Sequence, residues 1–401
     1  MTSDIEAGVR PLRLEWVAET TEGVTPDNPS WNLFSDNIVS AFDWEPDANT
    51  QRQNGAGEIT AQGFFNGSET HDVSFSYDLQ QWYVDGAGDP VDAGGYFLEP
   101  DTDNSLQATH TIVGRSEQDG GGSDGAGRRI YTVVKGAHPD SLTAPFETED
   151  GSPIEQELSY QAEKVRQYDI SQPSSSTTVD IENTGTTSVD VTVEDEGAAT
   201  SETVTVSGGS TSTTTATFGD IDAVELSTDV DGDVVVSDGS GTTFETIKGS
   251  DSYPAGEGDL GVPALGSGSH ASAIGSSYVR FLDDTLSIPN VESDVEIISG
   301  EMSVETGLDS NAKLGSAGQN IHATEWSYTV TATLAGSKVS VDQSTNYLTE
   351  QTGKVTWTAG EGSIDFNNAF IQSPGSYTKE AGEGKAQYDN EFSAETINVS
   401  N

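Results

Sequence analysis

"TTVDIENTGTTSVDVTVEDEGAATSETVTVSGGSTSTTTATF", residues 177–218, alternates Val and Ile with Thr, Ser, Asp and Glu and contains no basic residue. Period-two alternation puts every second side chain on one face of a strand, so each short run can bury its aliphatic face and wet the other. Turn residues cut the runs about every 8–12 positions, the spacing of a small antiparallel sandwich of immunoglobulin type. The Lys- and Arg-free run extends from Gln167 to Ile247, and between residues 172 and 248 the aromatics are Phe218 and Phe244. The Cys and Trp hallmarks of antibody domains are absent, so the pattern predicts that architecture and nothing finer. The stretch therefore reads as a compact inserted module, residues 172–249, between flanks of residues 1–171 and 250–401.

The whole chain reads as all-β. Of 401 residues 33% are hydrophobic, with 44 Gly, two Met and no Cys, which suits sheets built from small β-branched side chains and many turns. Sixteen Lys and Arg against 67 Asp and Glu give a net charge of −51. Thirteen Phe, twelve Tyr and six Trp argue against a disordered acidic chain. The remaining explanation is a protein of molar salt, where the Debye length falls to about 3 Å and carboxylates no longer repel at range. Tight nucleic-acid binding is not expected, because the one basic doublet, Arg128-Arg129, leads into a strand pattern. "MTSDIEAGVRPLRLEWVAE" has no apolar core of a signal peptide, and no run approaches the roughly 18 residues that span a bilayer. A cytoplasmic site of synthesis and no membrane partner are expected.

Period-two segments are strongest at residues 12–18, 59–65, 73–79, 109–113, 130–134, 157–170, 291–305, 322–334, 354–358 and 392–399. Short helices are expected near residues 139–144 and 344–350. The flanks share an order of elements: a strand pair, a Gly/Asn-rich loop, a pair of long strands, then a surface loop and a long final strand. The loops fall at residues 48–58 and 308–320. This predicts a duplicated β-domain with the sandwich inserted between the copies. "DLQQWYVDGAGDPVDAGGYFLEPD" (78–101) has no counterpart in the second flank, and its aromatics are expected in a core.

No catalytic constellation stands out, and neither enzyme activity nor a cofactor is expected. His71, His110, His138, His270 and His322 lie far apart in sequence and read as surface or strand-edge residues. "GGGSDG" (120–125) and "GEGDLG" (256–261) match Gly-rich signatures but lack the strand-to-helix setting those require. Asp229, Asp231 and Asp233 are spaced like the first ligands of a calcium loop, without its later Glu. An acidic hairpin tip is the principal reading there, and a weak cation site the lesser one.

"LEWVAETTEGVTPDNPSWNLF" (14–34) resembles the N-terminal signature of major tail tube proteins of long-tailed viruses: a strand ending in Glu19, a turn with Gly23 and Pro26, then a second strand. "LDDTLSIPNVESDVEIISGEMSVETG" (282–307), with Asn290 and Gly300, is similar to the same family's second segment. The resemblance implies a virion structural protein whose sandwich domains join by one sheet into six-domain rings, stacked as a conduit for DNA. Two domains per chain imply trimeric rings with pseudo-sixfold symmetry, a hexamer being the alternative, and the inserted module implies an outer decoration. It further implies other tail proteins at the tube ends, transient DNA passage without specific binding, and loops 48–58 and 308–320 reaching the next ring. With the acidity, the host implied is a halophilic archaeon, with assembly in its cytoplasm. The competing readings are a cell-surface β-sandwich adhesin of a halophile and, behind it, a carbohydrate-active enzyme.

Overall fold

The computed structural model describes residues 13–26, 29–34, 39–47, 51–54, 61–65, 70–79, 81–98, 108–118, 127–147, 154–195, 200–252, 258–264, 285–287, 296–312, 319–323, 325–336, 353–359, 362–378 and 386–401. Strands dominate; the helical pieces among these residues are Gly95–Leu98 and a 3-10 turn, Ser250–Ser252. In the first half, hydrogen-bonded neighbours run Arg13–Ala18, His110–Gln118, Arg128–Glu147, Glu155–Ser171, Thr70–Asp78, Val39–Asp47. In the second they run Thr285–Ser287, Gly353–Ala359, Gly362–Thr378, Ala386–Ala394 continued by Thr396–Ser400, Ser327–Gly336, Glu296–Glu305. The strand order is the same.

The registers repeat as well. His110 pairs with Ala137 and Ile112 with Val134, so Lys135 and Gly136 together oppose Thr111. Gly353 pairs with Ala369 and Val355 with Phe366, so Asn367 and Asn368 oppose Lys354. Both are β-bulges, and both need a left-handed residue: Gly136 has φ 61° and Asn368 has φ 51°. Asn tolerates that conformation better than other side chains, so the second half forms the bulge without Gly.

The bulge lets the 128–147 strand change layers. Its first part belongs to an outer layer with residues 13–18 and 110–118; its last part joins an inner layer with residues 155–162, 70–78 and 39–47. Leu14, Trp16, Ile112 and Val134 meet Val73, Phe75, Leu158 and Tyr160 between the layers. Beyond the bulge the strand pairs its residues 141–147 with residues 299–305 of the second half. That contact fuses the halves into one 14-stranded sheet that does not close on itself. Leu142, Ala144, Met302 and Val304 are fully buried behind the joint, so it continues the core rather than merely touching it.

Three expectations are corrected. Residues 139–144 are strand, not helix: Pro139 and Pro145 end helices, yet here they sit beside a register shift and at the joint. The surface loop expected ahead of the second flank's final strand is also in part strand, since Gly362–Thr378 runs into it with bulges on both sides of Pro374. The Gly/Asn-rich loops contain hairpins, Gln51–Asn54 with Ala61–Phe65 and Leu308–Ala312 with Gln319–Ala323, at the same place in both halves. The expected helix at 344–350 lies outside the described residues.

The middle block forms two four-stranded antiparallel sheets facing each other, with Ile181, Val234 and Val236 of one against Val191, Val193 and Leu226 of the other. Gly261–Val262 pairs with residues 224–225, so the module runs past residue 249. The aromatic segment after residue 78 is core. Trp82 donates its indole N–H to the Ser400 carbonyl at 3.0 Å, tying the halves together. A Cβ at Gly362 would fall 2.1 Å from that nitrogen, so the close approach requires Gly.

Asp92 in this segment is fully buried. It accepts from Tyr77, from the Gly94 amide and from Gln156. Burial drives its carboxyl up to about 6, and those bonds only partly offset the rise. The folded state therefore prefers the protonated acid. Its stabilisation is complete below the unfolded value near 4 and is lost as pH rises through about 6. Asp92→Asn should flatten that window: the wild-type minus variant unfolding free energy, measured by urea titration, should fall by up to about 3 kcal/mol from pH 4 to pH 7. An unchanged difference would show that Asp92 ionises freely in the fold.

Candidate assembly interface

The inner layer has two unlike faces. Inward side chains build the core, while the opposite face carries Ser74, Ser76, Thr143, Ser303, Thr329 and Thr331 among a band of acids. Cross-strand registers keep this face continuous: Glu45 opposite Asp72, Ser76 opposite Glu157, Thr143 opposite Ser303, and Thr331 opposite Glu391. Strands 39–47, 70–78, 296–305, 327–336, 362–378 and 386–394 contain no Lys or Arg, nor do residues 155–161 or 141–147. In an antiparallel sheet such like-charged rows cost stability unless screened.

The outer layers end at Asn32–Phe34, paired with residues 14–16, and at Thr285–Ser287; the inner layer ends in two further edges. Strand 39–47 pairs with 70–78 on one side and has no partner on the other among the described residues; residues 373–378 likewise pair only with 387–391. Unpaired, these are sites for strand addition. They are also equivalent to the joint already made inside the chain. By the repeated registers, 373–378 occupy the place of 141–145 with one extra residue at the bulge after Pro374, and 41–47 the place of 299–305.

The opposite, outer layer carries the module. Val17, Val113, Tyr131, Val133, Tyr168 and Ile170 share one apolar core with the module's valines. Asp222, 1% exposed at its side chain, takes Arg115 at 2.7 Å and Arg129 at 3.1 Å, and accepts from Tyr131. Arg129 also reaches Asp220, Arg166 pairs with Asp259 at 2.8 Å, and Lys164 donates to the Gly258 carbonyl. Burial acts to raise the Asp222 carboxyl, but the Arg115 and Arg129 charges with the Tyr131 bond outweigh it and hold it low. The repeat shows that these cations serve the module. Positions equivalent to Arg115, Lys164 and Arg166 are Thr358, Thr396 and Asn398, where no module sits.

The resemblance residues fall into place locally. Glu19 is buried and ties its turn to the bulge: it accepts from the Gly23 amide (2.7 Å), Thr109 (2.6 Å), Thr111 (2.7 Å) and the Gly136 amide (3.1 Å). Gly23 takes φ 72° to close the turn. Gly300 lies in the joint strand opposite Phe146 and Ala332, and Asn290 lies outside the described residues.

Asp229, Asp231 and Asp233 do not come together. Asp229 accepts from the Gly258 amide, Asp231 from the Thr186 amide and hydroxyl, and Asp233 from Lys248 and Gly249. Among the described residues no group of three or more His, Cys, Asp or Glu could hold a metal ion. The histidine expectation is overturned for His71, His110 and His138, which are all buried. Trp16, Tyr96 and Tyr160 surround the His110 ring edge-on. Burial, with His138 nearby, lowers its pKa to about 3, so it stays a neutral core ring. His270 lies outside the described residues. Among those residues no helix is long and apolar enough to cross a membrane.

No protein-family model and no curated protein sequence matches the chain.

Replacing Asp222 by Ala removes the one carboxylate that faces both Arg115 and Arg129, a loss of about 3–5 kcal/mol at this joint. Hydrogen exchange should show amides of 110–118 and 128–134 losing protection while module amides at 189–194 keep theirs. Equal loss in both would show that module and sheet unfold as one unit.

Proposed function

We propose that this chain is a tail tube subunit of a long-tailed virus, assembling as trimeric rings that stack into a conduit for DNA. The observation that carries this reading is the pair of sheet edges: one chain already contains the joint that its two outer edges could repeat between copies. A head-to-tail contact of this kind closes a ring when its rotation divides the circle and otherwise builds a filament. Each chain supplies eight strands to the inner layer, and three chains would give roughly 24. At about 4.8 Å per strand the ring is about 37 Å across without tilt and about 50 Å at a tilt of about 40°. Both widths leave room for duplex DNA after side chains are added, whereas eight strands closing alone would fill their own interior. The polar, Lys- and Arg-free face would line that channel, and DNA would pass it without counterion-releasing contacts. The module, held on the opposite face, would stand outside as an immunoglobulin-like decoration. The hairpins in both halves project from equivalent strand ends and would meet the next ring. The net charge of −51 suits a halophilic host.

The chain has no Cys, so engineered pairs report cleanly. Asp47→Cys with Ser373→Cys should give an oxidised ladder on non-reducing gels that ends at the trimer, because the closed ring has no unused edge. A ladder continuing past three, or monomer only, would overturn the trimeric ring. Electron microscopy at multi-molar salt should show three outer knobs around a central hole; six knobs would keep the tube and reject two domains per chain. Deleting residues 49–67 should leave rings that do not elongate.

A further inference from the structure

A cleft of about 530 Å³ opens between Val24, Thr25, Pro26 and Pro29 on one side and the module's second sheet on the other. Its walls are polar and unlike the cation-free inner face. Asp190, Thr192 and Glu194 project from one module strand, Ser201 and Thr203 from the next, and Glu225 from a third. Pro26 and Pro29 form the opposing apolar rim. At the base stands Lys135, a bulge residue only 8% exposed. It makes no hydrogen bond and no ion pair among the described residues. Burial lowers its pKa, with the Glu225 and Glu19 charges acting the other way.

The Lys135 ammonium is largely desolvated but still reaches the solvent of the cleft, and that desolvation costs stability unless something else uses the charge. The fold does not require it here, since the equivalent bulge position in the second half is Asn367. Lys135 appears only in the half that bears the module, where the cleft exists. The charge pattern then restricts the occupant. Three carboxylates oppose an anion, and the ammonium at the base opposes a cation. A group that both donates and accepts satisfies both, and hydroxyls do so at every position. The Ser and Thr side chains of the walls add short-range partners of the same kind, and the proline rim offers flat C–H surface to a sugar ring.

We propose that this cleft binds a neutral glycan, with Lys135 donating to its oxygens and Asp190 and Glu225 accepting from its hydroxyls. The proposal does not depend on ring assembly, because the cleft lies wholly within one chain.

Saturation-transfer NMR on the full chain tests it, using neutral trisaccharides of glucose, mannose and N-acetylglucosamine. A uronic acid trisaccharide and a Lys/Arg-rich peptide serve as charged comparators. At least one neutral sugar should bind, and both comparators should be weaker. Lys135→Met should reduce affinity at least tenfold while leaving the melting temperature equal or higher. Asp190→Asn, at an exposed position, provides a second variant with little risk to folding and should also weaken binding. The proposal fails if no neutral sugar binds or if both variants bind as wild type. Binding of the peptide alone would make the cleft a peptide groove and overturn the glycan.

Discussion

The bulge at Lys135-Gly136 and the carboxylate that holds it govern how the layers are built. A straight 20-residue strand would lie in one sheet; Arg128–Glu147 instead serves two. The extra residue turns its second part away from the outer layer, and Glu19 accepts the amide hydrogen that the bulge takes out of the ladder. The same carboxylate closes the 19–23 turn and binds two hydroxyls of the neighbouring strand. One acid side chain thus fixes the exit from the first strand, the position of the second and the bend of the third. Everything downstream of the bend follows from it: the core between layers, the joint at residues 141–147, and the placement of the 299–305 strand.

Charge is distributed with the same economy. Of 16 basic residues, five (Arg115, Arg129, Lys135, Lys164 and Arg166) lie on the first half's outer layer beneath the module. The inner-layer strand segments carry none. A chain that simply needed a hydrated surface would scatter its cations. Here they are used where acids must be buried, and Asp222 is ionised in the core because two guanidinium groups face it. A buried pair of this kind contributes little net stability over an apolar joint, but it specifies one orientation of module on sheet.

Much of the architecture was readable from alternation, because half-buried strands impose period two on the chain. Residues 70–78 and 155–171 show it clearly, and so does every module strand with a valine face, whereas Leu14 to Val17 are buried on both faces. What failed was local chemistry under tertiary control. Pro139, Pro145 and Pro374 argue against strand in isolation, and only bulges or an edge position make them compatible. The buried histidines were unreadable for a similar reason. His71 and His110 look like ordinary polar residues until Trp44 packs on the first and Trp16, Tyr96 and Tyr160 on the second, and His138 is buried beside Glu22. The candidate interface was hidden because an edge is defined by what fails to pair. The equivalence of 373–378 with 141–145 appears only once registers are known.

The two halves share strand order but are not interchangeable, and this bears on symmetry. Only the first carries the module, the cations that hold it, and the aromatic segment whose Trp82 reaches across to Ser400. A ring built from six copies of one half would repeat every feature six times. The proposed ring would alternate two kinds of joint: one covalently continuous and latched through Trp82, the other made between edges alone. The latched joint would be permanent once the chain folds, which would confine the reversible step of the proposed assembly to the second. Concentration and salt would then control closure at three contacts rather than six, with screening of the acidic inner face deciding whether edges can approach.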